Sequence, residues 1–197
     1  MYQWRKISEL EREEILEDRR RNCCPWHRPP LWDSGCNYYL ITAACYEHAR
    51  VIGKSNDRMS WFYEELLNAV EEVARVHAWV VLPNHYHLLL FAESIQEVKT
   101  SLGKLHGRSS YRWNGEEGAR GRKVWYAAAE TVMKSERHFW ATLNYIHNNP
   151  VKHGYVGKWQ DWPWGSAGNF LEKMGRDEAK RIWRKYPVGK YGEEWDV

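Results

Sequence analysis

The chain has 197 residues, of which 43% are hydrophobic and 28% charged, a composition typical of one globular domain with extensions. No apolar run approaches the roughly 20 residues that a membrane span needs, and the N-terminus lacks the charged-then-apolar order of a secretory signal. We therefore expect a cytoplasmic protein without membrane contact.

The net charge is only +3, but it is unevenly distributed along the chain. Residues 99–158 contain eleven lysines or arginines and four glutamates. A basic middle segment favours a polyanionic partner such as a nucleic acid, with a solvated helix face as the alternative. Thirteen tryptophans and twelve tyrosines against four phenylalanines also suit stacking on unpaired bases, although most of these rings are expected in the core.

The first 36 residues give the weakest structural pattern. Ser8 and Glu11 have the spacing of a capping box, which predicts a helix over residues 8–22, and three prolines then indicate an irregular loop. The four cysteines have no regular spacing, so we interpret them as reduced structural thiols, with a zinc site as the alternative. They are Cys23, Cys24, Cys36 and Cys45.

From residue 37 onward, strands and helices alternate. Residues 37–46 read as a buried strand, and residues 77–91 read as two strands joined by a tight turn at Pro83 and Asn84. Four helices are predicted, over residues 60–76, 94–113, 135–148 and 176–185. Residues 114–123 read as a glycine-rich mobile loop. This order predicts an α+β protein in which helices pack on a sheet.

The segment His85-Tyr86-His87 is the first candidate for chemistry. Side chains two residues apart on a strand point to the same face, and two imidazoles on one face can share a metal ion. A pair of histidines that merely satisfy each other at a sheet edge is the alternative.

The helix around Tyr145 is the second candidate. Its buried stripe is formed by Phe139, Leu143 and Ile146, and Tyr145 lies off that stripe with Asn149 close to its own azimuth. The pattern therefore predicts a tyrosine on a polar helix face beside an amide, although an ordinary surface tyrosine fits the helix equally well.

Four segments together resemble a known family. VVLPNHYHLLLF resembles the HUH motif of single-tyrosine transposases, and LNYIHNNPVKHGYV resembles their catalytic-tyrosine helix. DWPWGSAGNF and NYYLITAACY resemble further blocks of one branch, the REP-associated tyrosine transposases. The blocks occupy the expected order over about residues 37–170.

The resemblance implies a ferredoxin-like HUH core, an antiparallel sheet with packed helices, with the domain at residues 37–158. Residues 1–36 would be an N-terminal extension without a counterpart in the family, and residues 159–197 a tryptophan-rich tail. By resemblance, Tyr145 is the nucleophile, and His85, His87 and Asn149 hold a divalent metal, Mg²⁺ or Mn²⁺. Because Pro150 follows Asn149, we expect the helix to end there.

The function implied is metal-dependent cleavage and joining of single-stranded hairpin DNA through a 5′-phosphotyrosine. The alternatives are a DNA-binding regulator without catalysis and a nuclease that uses activated water. We expect a monomer, with a dimer as the alternative. The segment VWYAAAETV, near Trp125, lacks the glutamine-containing stretch expected from many relatives, so the resemblance does not establish a DNA contact there. The residues predicted to bind DNA are Lys99, Lys104, Arg108, Arg112, Arg120, Arg122 and Lys123.

Overall fold

The computed structural model describes residues 8, 37–189 and 191. The predicted helix over residues 8–22 and three of the four cysteines therefore lie outside the described residues. The elements in chain order are β1 (Asn37–Ala44), α1 (Asn56–Glu71), β2 (Arg75–Val81), β3 (His85–Ala92), α2 (Ile95–Glu116), β4 (Ala129–Val132), α3 (Glu136–Lys152), α4 (Ala167–Met174) and α5 (Arg176–Lys185).

The four strands form one antiparallel sheet in the order β2-β3-β1-β4. β1 and β3 lie in the centre, and most of their side chains are buried. Helix α1 connects β1 to β2, a three-residue turn connects β2 to β3, and α2 connects β3 to β4. This β-α-β-β-α-β order is that of a ferredoxin-like fold, which confirms the predicted α+β class.

Helices cover both faces of the sheet, and the alternation of side chains along β3 decides which residue meets which helix. Tyr86 faces α1 and α2, since its ring lies 5.8 Å from that of Phe62 and its hydroxyl 3.0 Å from Nε2 of His106. His87 faces the other side, where its ring lies 5.2 Å from that of Tyr145 on α3. The two motif histidines and α2 are therefore on opposite faces of the sheet.

The segment after residue 158 packs on the edge formed by β2. The Trp162 indole donates to the Val81 carbonyl at 2.9 Å, and the backbone N–H of Trp79 donates to Ser166 Oγ at 2.9 Å. Ser166 Oγ also lies 2.9 Å from Nε2 of the buried His147 on α3. The block DWPWGSAGNF thus ties α3 to the sheet. Within the described residues, no helix is long and apolar enough to cross a membrane.

Three predicted boundaries were wrong. Helix α1 covers residues 56–71 rather than 60–76, because the Ser55 hydroxyl caps it by accepting from the Arg58 N–H at 3.1 Å. The predicted mobile loop, residues 114–123, begins as the last turn of α2 and is then tied down, since Asn114 donates to the Arg122 carbonyl at 2.7 Å. Helix α3 does not end before Pro150 but continues to Lys152.

Candidate active site

His85 and His87 lie on one face of β3, as the period of a strand requires. Their rings are 5.0 Å apart, and both side chains are almost fully buried. A different residue holds the Nδ1 atom of each ring. Asn84 Oδ1 lies 2.9 Å from Nδ1 of His85, and Thr42 Oγ1 lies 2.8 Å from Nδ1 of His87. The Nε2 atoms of both histidines consequently point toward α3.

Thr42 reaches His87 because of the strand register. Thr42 on β1 pairs with His87 on β3, and directly paired residues share a face. Asn84 is fixed independently, because its Nδ2 donates to the His48 carbonyl at 3.2 Å and so directs Oδ1 at His85. A carbonyl oxygen can only accept, so His85 must donate from Nδ1. In neutral His85, Nε2 therefore keeps its lone pair.

Tyr145 meets the histidines from α3. Its hydroxyl lies 3.3 Å from Nε2 of His87, and the side chain is 1% exposed. The helical pattern predicted Tyr145 on a polar face away from the apolar stripe, but Tyr145 is buried with the residues of that stripe, and its face of α3 packs on the sheet. The Tyr191 ring packs edge-on against the Tyr145 ring, with ring centroids 5.6 Å apart, so it adds to the burial of the Tyr145 side chain.

Asn149 lies one turn after Tyr145 and is fully buried. Its Oδ1 is 3.3 Å from Nε2 of His85. The expected break at Pro150 does not occur: α3 continues to Lys152, and burial of Asn149 and Pro150 offsets the lost hydrogen bond and the ring clash that a helical proline causes. The last turn closes normally with His153 N–H donating to the Asn149 carbonyl at 3.0 Å. One helix thus brings the tyrosine and the amide to the two histidines.

The donor set fits a divalent cation. With the amide in this orientation, Nε2 of neutral His85 and Oδ1 of Asn149 are both acceptors, so a cation between them would satisfy both. Two ligands bound at right angles, each about 2.1 Å from an ion, would be about 3 Å apart, close to the observed 3.3 Å. Nδ2 of Asn149 has no hydrogen-bond partner among the described residues. Turning the amide over would let Nδ2 donate to Nε2 of His85, but it would move the Oδ1 ligand away from the site.

The described residues contain no group of three histidine, cysteine or acidic side chains that could hold a metal ion. Any such ion must therefore take a ligand of another kind, such as the Asn149 amide, water or the substrate phosphate. His153 adds a further imidazole nearby, with its ring 5.2 Å from that of His85. Among the described residues, Cys45 adds no ligand here, because it is buried and burial raises the pKa of its thiol to about 12.

The basic residues predicted to bind DNA fall into two groups. Four of them pair with carboxylates at 2.8–3.0 Å: Lys99 with Glu130, Arg108 with Glu65, Arg112 with Glu116, and Arg122 with Glu117. In the described part of the chain, the other three make no ion pair; these are Lys104, Arg120 and Lys123. Because α2 packs on the sheet face opposite Tyr145, its cations can meet only DNA that extends around the sheet edge.

Comparison with known proteins gives relatives of one kind. No protein-family model matches the chain. The chain is 26% identical over 172 residues to the REP-associated tyrosine transposase of Escherichia coli, covering 81% of this chain and 91% of that protein. It is 31% identical over 100 residues to a Haemophilus influenzae protein named "Putative REP-associated tyrosine transposase", covering 44% of this chain and 54% of that protein.

The fold leads to the same proteins. A solved structure of a REP-associated tyrosine transposase bound to a REP hairpin matches with a TM-score of 0.55 and 17% identity, covering 70% of this chain and 80% of that one. These matches confirm the resemblance inferred from the motifs. Because the sequence relatives are named as tyrosine transposases, the prediction of an enzyme is also confirmed.

Proposed function

Because the chain is related to the REP-associated tyrosine transposases in sequence and shares their fold, we propose that it cleaves and rejoins single-stranded DNA through Tyr145. The observation that carries this proposal is the contact between Tyr145 and His87, with 3.3 Å between the hydroxyl and Nε2. It brings together two residues that are 58 positions apart in the chain.

Tyr145 would act as a nucleophile on phosphorus. A tyrosine with the ordinary pKa of about 10 is almost wholly protonated at neutral pH, so the attacking oxygen must lose its proton as the new bond forms. The bond from phosphorus to the 3′-oxygen breaks, and that oxygen leaves as a 3′-hydroxyl after taking up a proton. The product is a 5′-phosphotyrosine, which keeps the bond energy for rejoining.

Rejoining is the same reaction in reverse. A 3′-hydroxyl attacks the phosphotyrosine, and the Tyr145 oxygen leaves and regains its proton. The buried setting supports this chemistry, because a site that excludes water protects the covalent link from hydrolysis, and the Tyr145 side chain is 1% exposed. Lys152, whose ammonium lies 5.5 Å from the centre of the Tyr145 ring, can approach a phosphate held there.

His85, His87 and Asn149 would hold a divalent cation, which we propose is Mg²⁺ or Mn²⁺. Such a cation would neutralise charge on the scissile phosphate as the transition state forms. The chain itself supplies the orientation: Asn84 and Thr42 fix the two imidazoles, and the end of α3 brings in the amide. Mn²⁺ suits imidazole ligands better than Mg²⁺.

The substrate we propose is a single strand folded into an imperfect hairpin, as in the REP hairpin bound by the structural neighbour. A folded strand combines paired and unpaired bases, and it matches a surface that carries both exposed cations and exposed aromatic rings. We propose that the protein acts on such repeats as a monomer.

The test is incubation with a labelled hairpin and Mn²⁺, followed by a denaturing gel. The proposal predicts a protein–DNA adduct that Tyr145→Phe abolishes while leaving hairpin binding within about twofold. Tyr155→Phe is the matched control, since Tyr155 stacks on His153 and Trp162 near the site without contacting His87. Free fragments without adduct would indicate a water-using nuclease, and binding without cleavage would indicate a regulator; either overturns the proposal.

A further inference from the structure

A cluster of exposed rings lies at the end of β1 and has no role in the reaction described above. Tyr46 and Tyr126 have ring centroids 5.1 Å apart, and the His48 ring lies 6.3 Å from that of Tyr126. The ammonium of Lys123 sits over both tyrosines, at 4.6 and 5.3 Å from their centroids. We call these four residues the tyrosine platform.

The backbone directs the platform to the same face as the active site. Cys45 and Trp125 form a bridge, and Trp125 points to the α1 and α2 side, where it stacks on His106 at 4.3 Å. Side chains alternate along extended chain, so Tyr126, which follows Trp125, points to the other face. That is the face of His85, whose pairing partner on β1 is Ala44. Tyr46 begins a short 3-10 helix after β1, and its ring lies beside that of Tyr126.

The platform is also linked to the active site through one side chain. Asn84 donates to the His48 carbonyl at 3.2 Å and accepts from Nδ1 of His85 at 2.9 Å. Glu47 and His48 hold positive φ angles of 54° and 52°, a conformation that residues with a Cβ rarely adopt. Such strained backbone persists only where the surroundings hold it, and it is concentrated at functional sites.

We propose that the tyrosine platform binds one or two unpaired bases of the DNA strand next to the phosphate that Tyr145 attacks. The inference rests on the proposed function, and it adds a specific site for the single-stranded flank. A half-exposed tyrosine offers a flat face on which any base can stack. Lys123 adds a cation for the adjoining phosphate, and its ammonium makes no ion pair with a carboxylate in the described residues.

The alternative sites are less suitable. Arg120 lies over the exposed ring of Tyr111 at 4.2 Å, which also pairs a cation with an aromatic face. Tyr111 is on α2, however, which packs on the sheet face opposite Tyr145, and Arg120 follows that helix. A base stacked on Tyr111 cannot belong to the nucleotides that flank the scissile phosphate without the strand crossing the sheet edge.

The experiment measures binding in the Tyr145→Phe background with EDTA present, so that no cleavage interferes. The probes are a hairpin with a single-stranded flank, the same hairpin with a blunt end, and flanked hairpins that carry 2-aminopurine or an abasic site at each flank position in turn. The added variants are Tyr126→Ala, Tyr126→Phe and, as the matched control, Tyr111→Ala.

We expect Tyr126→Ala to weaken binding of the flanked hairpin by roughly 5- to 150-fold, the range for losing one stacked base, and to leave the blunt hairpin within twofold. Tyr126→Phe keeps the ring and should bind like the parent, as should Tyr111→Ala. At one flank position, 2-aminopurine should be quenched by the parent protein, Tyr126→Phe and Tyr111→Ala but not by Tyr126→Ala. An abasic site at that position should remove the difference between the parent and Tyr126→Ala.

Equal losses for flanked and blunt hairpins, or no position where the abasic site matters, would overturn the platform while leaving the proposed function intact. A parent protein that binds none of these hairpins would overturn both. A loss in Tyr111→Ala as large as that in Tyr126→Ala would move the stacking site to α2 and overturn the inference.

Discussion

Replacing Thr42 with valine tests whether the partners of the histidines prepare the site. Valine keeps the shape of threonine but removes the oxygen that lies 2.8 Å from Nδ1 of His87. His87 is fully buried, so water cannot replace that partner. Residues that orient a metal-binding histidine typically contribute 10- to 100-fold to metal affinity, or about 1.4–2.7 kcal/mol. We therefore expect Thr42→Val to bind Mn²⁺ about 10- to 100-fold more weakly than the wild type.

The assay is calorimetric titration of Mn²⁺ into the wild type, Thr42→Val and Thr42→Ser. Serine retains the hydroxyl and should stay within about threefold of the wild type. The lost hydrogen bond should also lower the free energy of unfolding by about 1–2 kcal/mol, which urea denaturation measures. If Thr42→Val binds Mn²⁺ as tightly as the wild type, or if Thr42→Ser is equally impaired, the hydroxyl does not orient His87 and the reasoning fails.

Four further predictions concern separate parts of the molecule. Asn149→Ala should weaken Mn²⁺ binding and slow cleavage, with partial rescue at high Mn²⁺, whereas Asn149→Asp should retain activity. Normal cleavage by Asn149→Ala at limiting metal would show that Asn149 is not a metal ligand. Tyr191→Ala should speed adduct formation in a single-turnover assay, since the Tyr191 ring packs against the Tyr145 ring. An unchanged rate would show that Tyr191 does not limit access of the DNA to Tyr145. Hairpin affinity should fall with salt with a logarithmic slope of about 2, because three unpaired cations each contribute roughly 0.7, and a flat response would exclude this surface. Hydrogen bonds from Arg122, Arg58 and Lys54 lower the pKa of Glu117 to about 2. The ionised Glu117 carboxylate therefore stabilises the folded protein fully above about pH 4.5, and this contribution is lost as the pH falls toward 2. Glu117→Gln should flatten that part of the profile of melting temperature against pH.

The local arrangement of the histidines could be predicted from sequence because it depends only on neighbouring residues. The period of a strand places His85 and His87 on one face, and the turn at Pro83 and Asn84 marks where β3 begins. The helix that carries Tyr145 was recognised for the same reason, from apolar residues at helical spacing.

What depends on contacts between distant segments could not be predicted. Tyr145 lies on a polar helix face, and nothing in the helix shows that this face packs on two histidines of the sheet. Thr42 is 45 residues from His87, and only the register of β1 with β3 brings them together. The carboxylates that pair with the basic residues of α2 likewise come partly from α1 and β4, as Glu65 and Glu130 do.

Pro150 shows the limit of a local rule. The residue before a proline avoids helical geometry in general, yet α3 continues to Lys152 with Asn149 fully buried. Burial of Asn149 and Pro150 offsets the cost of a proline inside a helix, which is about 3 kcal/mol.

The central claim is that Tyr145 becomes covalently linked to DNA, and mass spectrometry of the digested adduct tests it most directly. The wild-type protein is incubated with a hairpin and Mn²⁺, and the DNA of the adduct is trimmed with nuclease before proteolysis. Our account predicts that the modified peptide carries a nucleotide through its 5′-phosphate on Tyr145, with an unmodified Tyr155. A nucleotide on Tyr155 or on another residue, or cleavage without any modified peptide, would contradict it.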